Sequence, residues 1–211
     1  MRLLTYALIF MSFSLAAPLI AQPLVESADI KSHLWEWEDR DKLATSLPEQ
    51  RLLTRTYKHD STHIVGGLVI GLIKAPIDKV VPIVSDYASF KDMLPFFTQS
   101  TILGSGDNRT IVHIKVEIVK GVVKLWGNLE FLDTTEKNDT RVFSGSMVKG
   151  NMKVFEVRFE LASANDGKET LILVHLLVDP DLKIAKDSKV NKYNQVNARR
   201  FIRAVKERAA K

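Results

Sequence analysis

Residues 74–103 read KAPIDKVVPIVSDYASFKDMLPFFTQSTIL, and this stretch decides the fold. Pro76 follows the apolar run 68–73 and suits the first turn of a helix, where its missing N–H would have had no partner. Val80, Val81, Val84 and Tyr87 then fall at helical spacing, and Asp78 complements the positive end of the helix dipole. A second short turn carries Phe90 and Leu94 until Pro95 stops it, and the β-branched residues of 98–103 predict a strand. The order strand, two short helices, strand implies that the helices bridge across a sheet.

Upstream, residues 51–58 and 63–73 read as two strands joined by the turn residues Asp60, Ser61 and Thr62. Before them, 22–50 is a polar lead-in holding HLWEWEDRDKL, in which Ile30, Leu34 and Trp37 share one helical face. The expectation is a short helix that covers an edge of the sheet.

Downstream, Gly104 to Asn108 form a turn cluster, and because a strand follows it, not a helix, it is no phosphate loop. Clean alternation comes next. Val112, Ile114, Val116 and Ile118 share one face while His113, Lys115 and Glu117 share the other; Val123, Leu125, Leu129 and Phe131 oppose Lys124, Trp126, Asn128 and Glu130 in the same way. After a turn at 136–139 and a short strand over 141–147, residues 151–161 send Phe155, Val157, Phe159 and Leu161 inward and Glu156, Arg158 and Glu160 outward. Such strands predict an antiparallel sheet with one buried and one wet face. Asn165-Asp166-Gly167 marks a hairpin into the apolar strand 170–178, where the parity of Leu173 and Leu177 places His175 inward. From 187 to 211 helical periodicity lines up Val190, Tyr193, Asn197, Phe201, Ala204 and Val205. Nine basic residues against Asp187 and Glu207 between Lys186 and Lys211 give this helix a basic outer face.

The chain has 211 residues, 45% hydrophobic and 26% charged, with a formal net charge of +5, which is ordinary composition for one globular domain. Met1-Arg2, the apolar run 3–15 and the small residues Ala16, Ala17 and Ala21 form the pattern of a signal peptide, with an uncleaved anchor as the alternative. The division is therefore a signal peptide over 1–21, a lead-in over 22–50 and one domain over 51–211. The expected location is outside the cytoplasm, in a bacterial periplasm. With no cysteine, the chain has no disulfide, thiolate nucleophile or Cys-type zinc site.

No catalytic constellation emerges. His33, His59, His63, His113 and His175 lie on different elements without metal-ligand spacing, so neither catalytic residues nor a metal is assigned, and no cofactor is expected. Nucleic acid is excluded as a partner by the modest charge and the export signal.

Ala75-Pro76, the Asp86-Tyr87 pair, Phe90 and Leu94-Pro95 before a new strand together resemble the START-like (SRPBCC) superfamily, nearest its polyketide cyclase and coenzyme-Q-binding START branch. The resemblance extends from Leu52 to the C-terminus. It implies an α+β helix-grip fold, in which a curved antiparallel sheet wraps a long C-terminal helix and encloses an apolar cavity. The implied partner is a hydrophobic small molecule, such as a lipid, isoprenoid or quinone, carried between membranes. The basic helix is the candidate for peripheral contact with an anionic membrane. Expected ligand contacts are Tyr87, Phe90, Phe96 and Phe97 at the mouth; Ile114, Val116, Leu125, Leu129, Phe155, Val157, Phe159 and His175 on the strands; and Tyr193 and Asn197 on the helix. One departure stands out: the strand after Lys149-Gly150 reads NMKVFEVRFEL and lacks the Gly-x-Trp element that relatives often carry there. Two alternatives remain. One is a cyclase or dehydratase using Arg55, Tyr57, His175 or Tyr193 in the same cavity; the other is a structural module with a filled core.

Overall fold

The structure is a computed structural model that describes residues 33–48, 51–119, 123–181 and 186–211; the proposed signal peptide and Ile30 lie outside them. Eight strands form one antiparallel sheet: β1 (Leu53–His59), β2 (Thr62–Ile73), β3 (Phe97–Gly106), β4 (Arg109–Val119), β5 (Val123–Glu136), β6 (Thr140–Gly150), β7 (Val154–Ala164) and β8 (Glu169–Asp179). Their order is β1-β2-β8-β7-β6-β5-β4-β3. The helices between β2 and β3 carry the chain from one side of the sheet to its far edge, as the opening stretch predicts. They are α2 (Ile77–Ser85), which begins directly after an extended Pro76 that makes no side-chain capping bond, and α3 (Phe90–Met93). The long helix α4 (Asp187–Ala209) lies in the curve of the sheet. It packs on β2 where Gly67 leaves room: a Cβ there would stand 2.7 Å from the Gln195 backbone.

Several boundaries differ from expectation. Gly104 to Gly106 continue β3, and only Asp107 and Asn108 turn, because Gly106 pairs directly with Arg109. The strand expected from 151 starts at Val154, since Asn151 is held in a bend by its N–H to the Trp126 carbonyl at 3.1 Å.

The larger correction concerns the outer face. It is not wet along β2, β7 and β8, because α1 (Arg40–Ser46) and the 3-10 turn Leu34–Glu36 lie over its centre, not over an edge. Leu34, Leu43, Ala44 and Leu47 bury Leu68, Ile70, Leu72, Leu171 and Leu173 in a second core. Glu160, expected in solvent, is fully buried beneath this layer. There its carboxylate accepts the Leu34 N–H at 2.6 Å and Arg158 Nε at 2.8 Å. β2 and β8 are thus largely apolar on both faces, β7 turns Glu156, Arg158 and Glu160 toward the covered side, and β4 and β5 keep the one-sided pattern.

Candidate ligand cavity

The main core is not completely filled. A cavity opens between α4, α3 and the inner face of the sheet, lined by twenty residues. Its enclosed volume is small, about 60 Å³. Phe90 and Leu94 come from α3 and the turn after it; Ile114 and Val116 from β4; Leu125, Leu129 and Phe131 from β5; Phe155, Val157 and Phe159 from β7; Val174, Leu176 and Val178 from β8. Strand alternation places each of the strand side chains on the same face. The face of α4 that meets them supplies Tyr193, Asn197, Ala198 and Phe201, and Phe201 stacks on Phe159 with centroids 4.3 Å apart. Phe96, Phe97, Leu176 and Tyr193 are only half-buried, which marks the mouth; Phe96 meets both Phe97 at 5.1 Å and Tyr193 at 6.2 Å.

Among the described lining residues only Tyr193 and Asn197 carry polar side-chain atoms. Burial pushes the Tyr193 phenol up, although the Asn197 amide and the Arg200 charge pull it part of the way back, so at neutral pH the hydroxyl keeps its proton. Asn197 is buried and its Oδ1 accepts from Arg200 Nη1 at 3.3 Å. Among the described residues no carboxylate, histidine or lysine lines the space, and no group suited to a metal ion occurs. The arrangement can bind and orient a molecule; it offers no general acid–base pair.

Of the residues expected at the ligand, Phe90, Phe96, Phe97, Ile114, Val116, Leu125, Leu129, Phe155, Val157, Phe159, Tyr193 and Asn197 line the cavity. Two do not. Tyr87 is buried behind it, stacked on Phe131 at 4.1 Å. His175 is corrected to the outer face, where its ring lies 5.4 Å from Tyr57 and its strand partners are Leu68 and Arg158. Its neighbours Val174 and Leu176 point inward instead. Arg55 and Tyr57 share the outer face with His175, so of the residues proposed for a cyclase only Tyr193 reaches the cavity. The sequence reading did not assign Leu94, Phe131, Met152, Val174, Leu176, Val178, Ala198 or Phe201 to the ligand; the three β8 residues are lost with the parity that turns His175 inward, and Met152 sits in a bend where no periodicity could have pointed to it.

No family model matches the chain, and no curated protein matches it in sequence. Solved structures do. A STAR-related lipid transfer protein from Xanthomonas axonopodis superposes with a TM-score of 0.67 at 12% identity, covering 78% of this chain and 96% of that one. Human STARD10 gives 0.63 at 12% identity over 92% and 84% of the two chains. A START superfamily protein from Mycobacterium smegmatis gives 0.55 at 18% identity over 69% and 97%.

Proposed function

The chain has the START-like helix-grip fold, and on that premise we propose that it binds a hydrophobic small molecule in the cavity beneath α4 and carries it between membranes. The observation that carries this reading is the lining itself: eighteen of its twenty described residues are apolar, around an enclosed space of about 60 Å³ beneath a partly open mouth. A close-packed core has no such cleft. The names of two similar structures, a STAR-related lipid transfer protein and human StAR-related lipid transfer protein 5, support a lipid-like ligand. An enclosed volume of about 60 Å³ is too small for a lipid or isoprenoid, so such a ligand needs the aromatic mouth to swing aside and the cavity to widen. Lys189, Lys192, Arg199 and Arg203 are exposed along α4, from which Tyr193 reaches the mouth; this supports docking on an anionic membrane. The N-terminal pattern over 1–21 supports export to a bacterial periplasm.

Organic extraction and mass spectrometry of protein purified from its native compartment test the reading. A stoichiometric apolar molecule is the expected result. Failure to recover one, together with no uptake of the apolar fluorophore N-phenyl-1-naphthylamine, would overturn it.

A further inference from the structure

Within an otherwise apolar cavity, Asn197 Nδ2 and Tyr193 Oη are both fully shielded from solvent; they lie close enough for the amide to favour the phenolate, but the Tyr193 O–H has no acceptor among the described residues and Asn197 Nδ2 has no partner other than Tyr193. An unpaired buried donor costs about 1–3 kcal/mol, so such groups are rare unless something else satisfies them. They sit one helical turn apart on α4, at the i and i+4 positions that share a face, and both belong to the lining. Asn197 Oδ1 is already engaged by Arg200, which orients the amide so that its nitrogen is the free end. We infer that this pair holds the ligand's head group, and that the head group is a single uncharged oxygen acceptor, a carbonyl or hydroxyl, at one end of an apolar body. Both groups can donate to one oxygen, as two neutral hydrogen bonds. A carboxylate or phosphate fits less well, because among the described residues no charged side chain lines the cavity and Arg200 reaches the site only behind Asn197 Oδ1. The inference rests on the proposed function and gives it a chemical class and an orientation: the polar end lies against α4 beside the Phe96 mouth, and the apolar end runs toward Phe131 and Phe159.

A matched set of probes tests it by calorimetry: undecane, 2-undecanone and undecanoate at pH 8. Wild-type protein is expected to bind the ketone about tenfold more tightly than the alkane, the worth of two net neutral hydrogen bonds, and to bind the carboxylate more weakly than the ketone. In a Tyr193→Phe, Asn197→Leu double variant the ketone loses its advantage while undecane affinity stays within about twofold. Tyr193→Phe alone removes one oxygen and nothing else, and should lose about threefold of the ketone preference even if Asn197→Leu disturbs the helix. Thermal melts of the unliganded variants serve as the control: Tyr193→Phe removes a hydroxyl with no acceptor and should not lower the melt, and Asn197→Leu gives up only the long bond from Arg200 and should lower it little. Equal affinity of the wild type for ketone and alkane, or a ketone preference that survives both substitutions, would overturn the inference and leave the apolar cavity standing. Binding of none of the three probes would overturn the cavity reading with it.

Discussion

Asn194 Oδ1 accepts the Val178 N–H at 3.1 Å, and its Nδ2 donates to the carbonyls of Val178 at 3.3 Å and Val65 at 3.1 Å. The ladder between β2 and β8 ends at Gly67 and Leu176, so a side chain of α4 supplies the bonds that the splayed strands no longer give each other. Asn191 adds a further one, accepting the Val65 N–H at 2.9 Å. This is how the helix is gripped: by polar anchoring at one end and apolar packing along its length. Asn194→Leu would strand a buried N–H and two carbonyls, so it should cost about 2–4 kcal/mol in urea unfolding. Asn191→Ala, at a half-buried site with one bond, should cost about 1 kcal/mol. Equal, small losses for both would mean that the anchoring is not needed.

The periodicity of α4 and the alternation of β4, β5 and β7 carry most of the fold and most of the cavity lining in plain view. Asn194 is invisible there, because a polar residue that plugs a split in a sheet looks in sequence like one that faces water. His175 fails for a different reason. Both faces of β8 are apolar, Leu171 and Leu173 against the outer layer, Leu177 against Ile64 and Val190, and Val174 and Val178 against the cavity, so alternation carries no parity information. The outer layer that causes this is made by Leu34, Leu43 and Leu47, whose apolar character is legible but whose docking place depends on tertiary contact alone.

At Gly67 the helix and the sheet approach so closely that an added methyl would stand 2.7 Å from the Gln195 backbone. Gly67→Ala should therefore displace α4 and destabilise by about 1–3 kcal/mol, the usual cost of overpacking. Because Tyr193 and Asn197 ride on the same helix, probe affinity should fall as well. A variant as stable as wild type with unchanged affinity would show that α4 yields without cost.

Phe96 and Phe97 keep part of their surface exposed, whereas Phe201 is buried and stacked on Phe159. Phe96→Ala and Phe97→Ala should cost about 1–2 kcal/mol or less but speed the exchange of a bound apolar fluorophore in stopped flow. Phe201→Ala should cost about 3–5 kcal/mol. If the mouth variants lose stability and leave exchange unchanged, the pair is packing and not a gate.

The exposed basic side of α4 predicts co-sedimentation with vesicles of phosphatidylglycerol and not with those of phosphatidylcholine. Each Lys or Arg near such a surface contributes about 1 kcal/mol, so Arg199→Glu with Arg203→Glu should weaken binding by well over tenfold. Raising the salt should do the same to wild type, because the attraction is screened within a Debye length. Salt-independent binding would argue for insertion of apolar side chains instead.

Acid should loosen the outer layer first at Glu160. Burial pushes this carboxyl up, but hydrogen bonding by His33, with Nδ1 3.2 Å from Oε1, and the charge and hydrogen bond of Arg158 outweigh it and hold the pKa below the usual range. The folded value thus lies below the unfolded one of about 4.3. The stability it contributes is complete above that value and drains as pH falls through the folded value, because protons then bind the unfolded chain more readily. Glu160→Gln keeps an acceptor for the Leu34 N–H but leaves Arg158 with Glu136 as its remaining carboxylate partner, at 2.9 Å. Breaking a buried pair in this way should cost about 3 kcal/mol at pH 7. At pH 3 the wild-type carboxyl is itself closer to neutral, so the gap between the two proteins in urea unfolding should narrow. A gap of constant size from pH 7 to pH 3 would show that the ionised Glu160 is not what ties the N-terminal layer to the sheet.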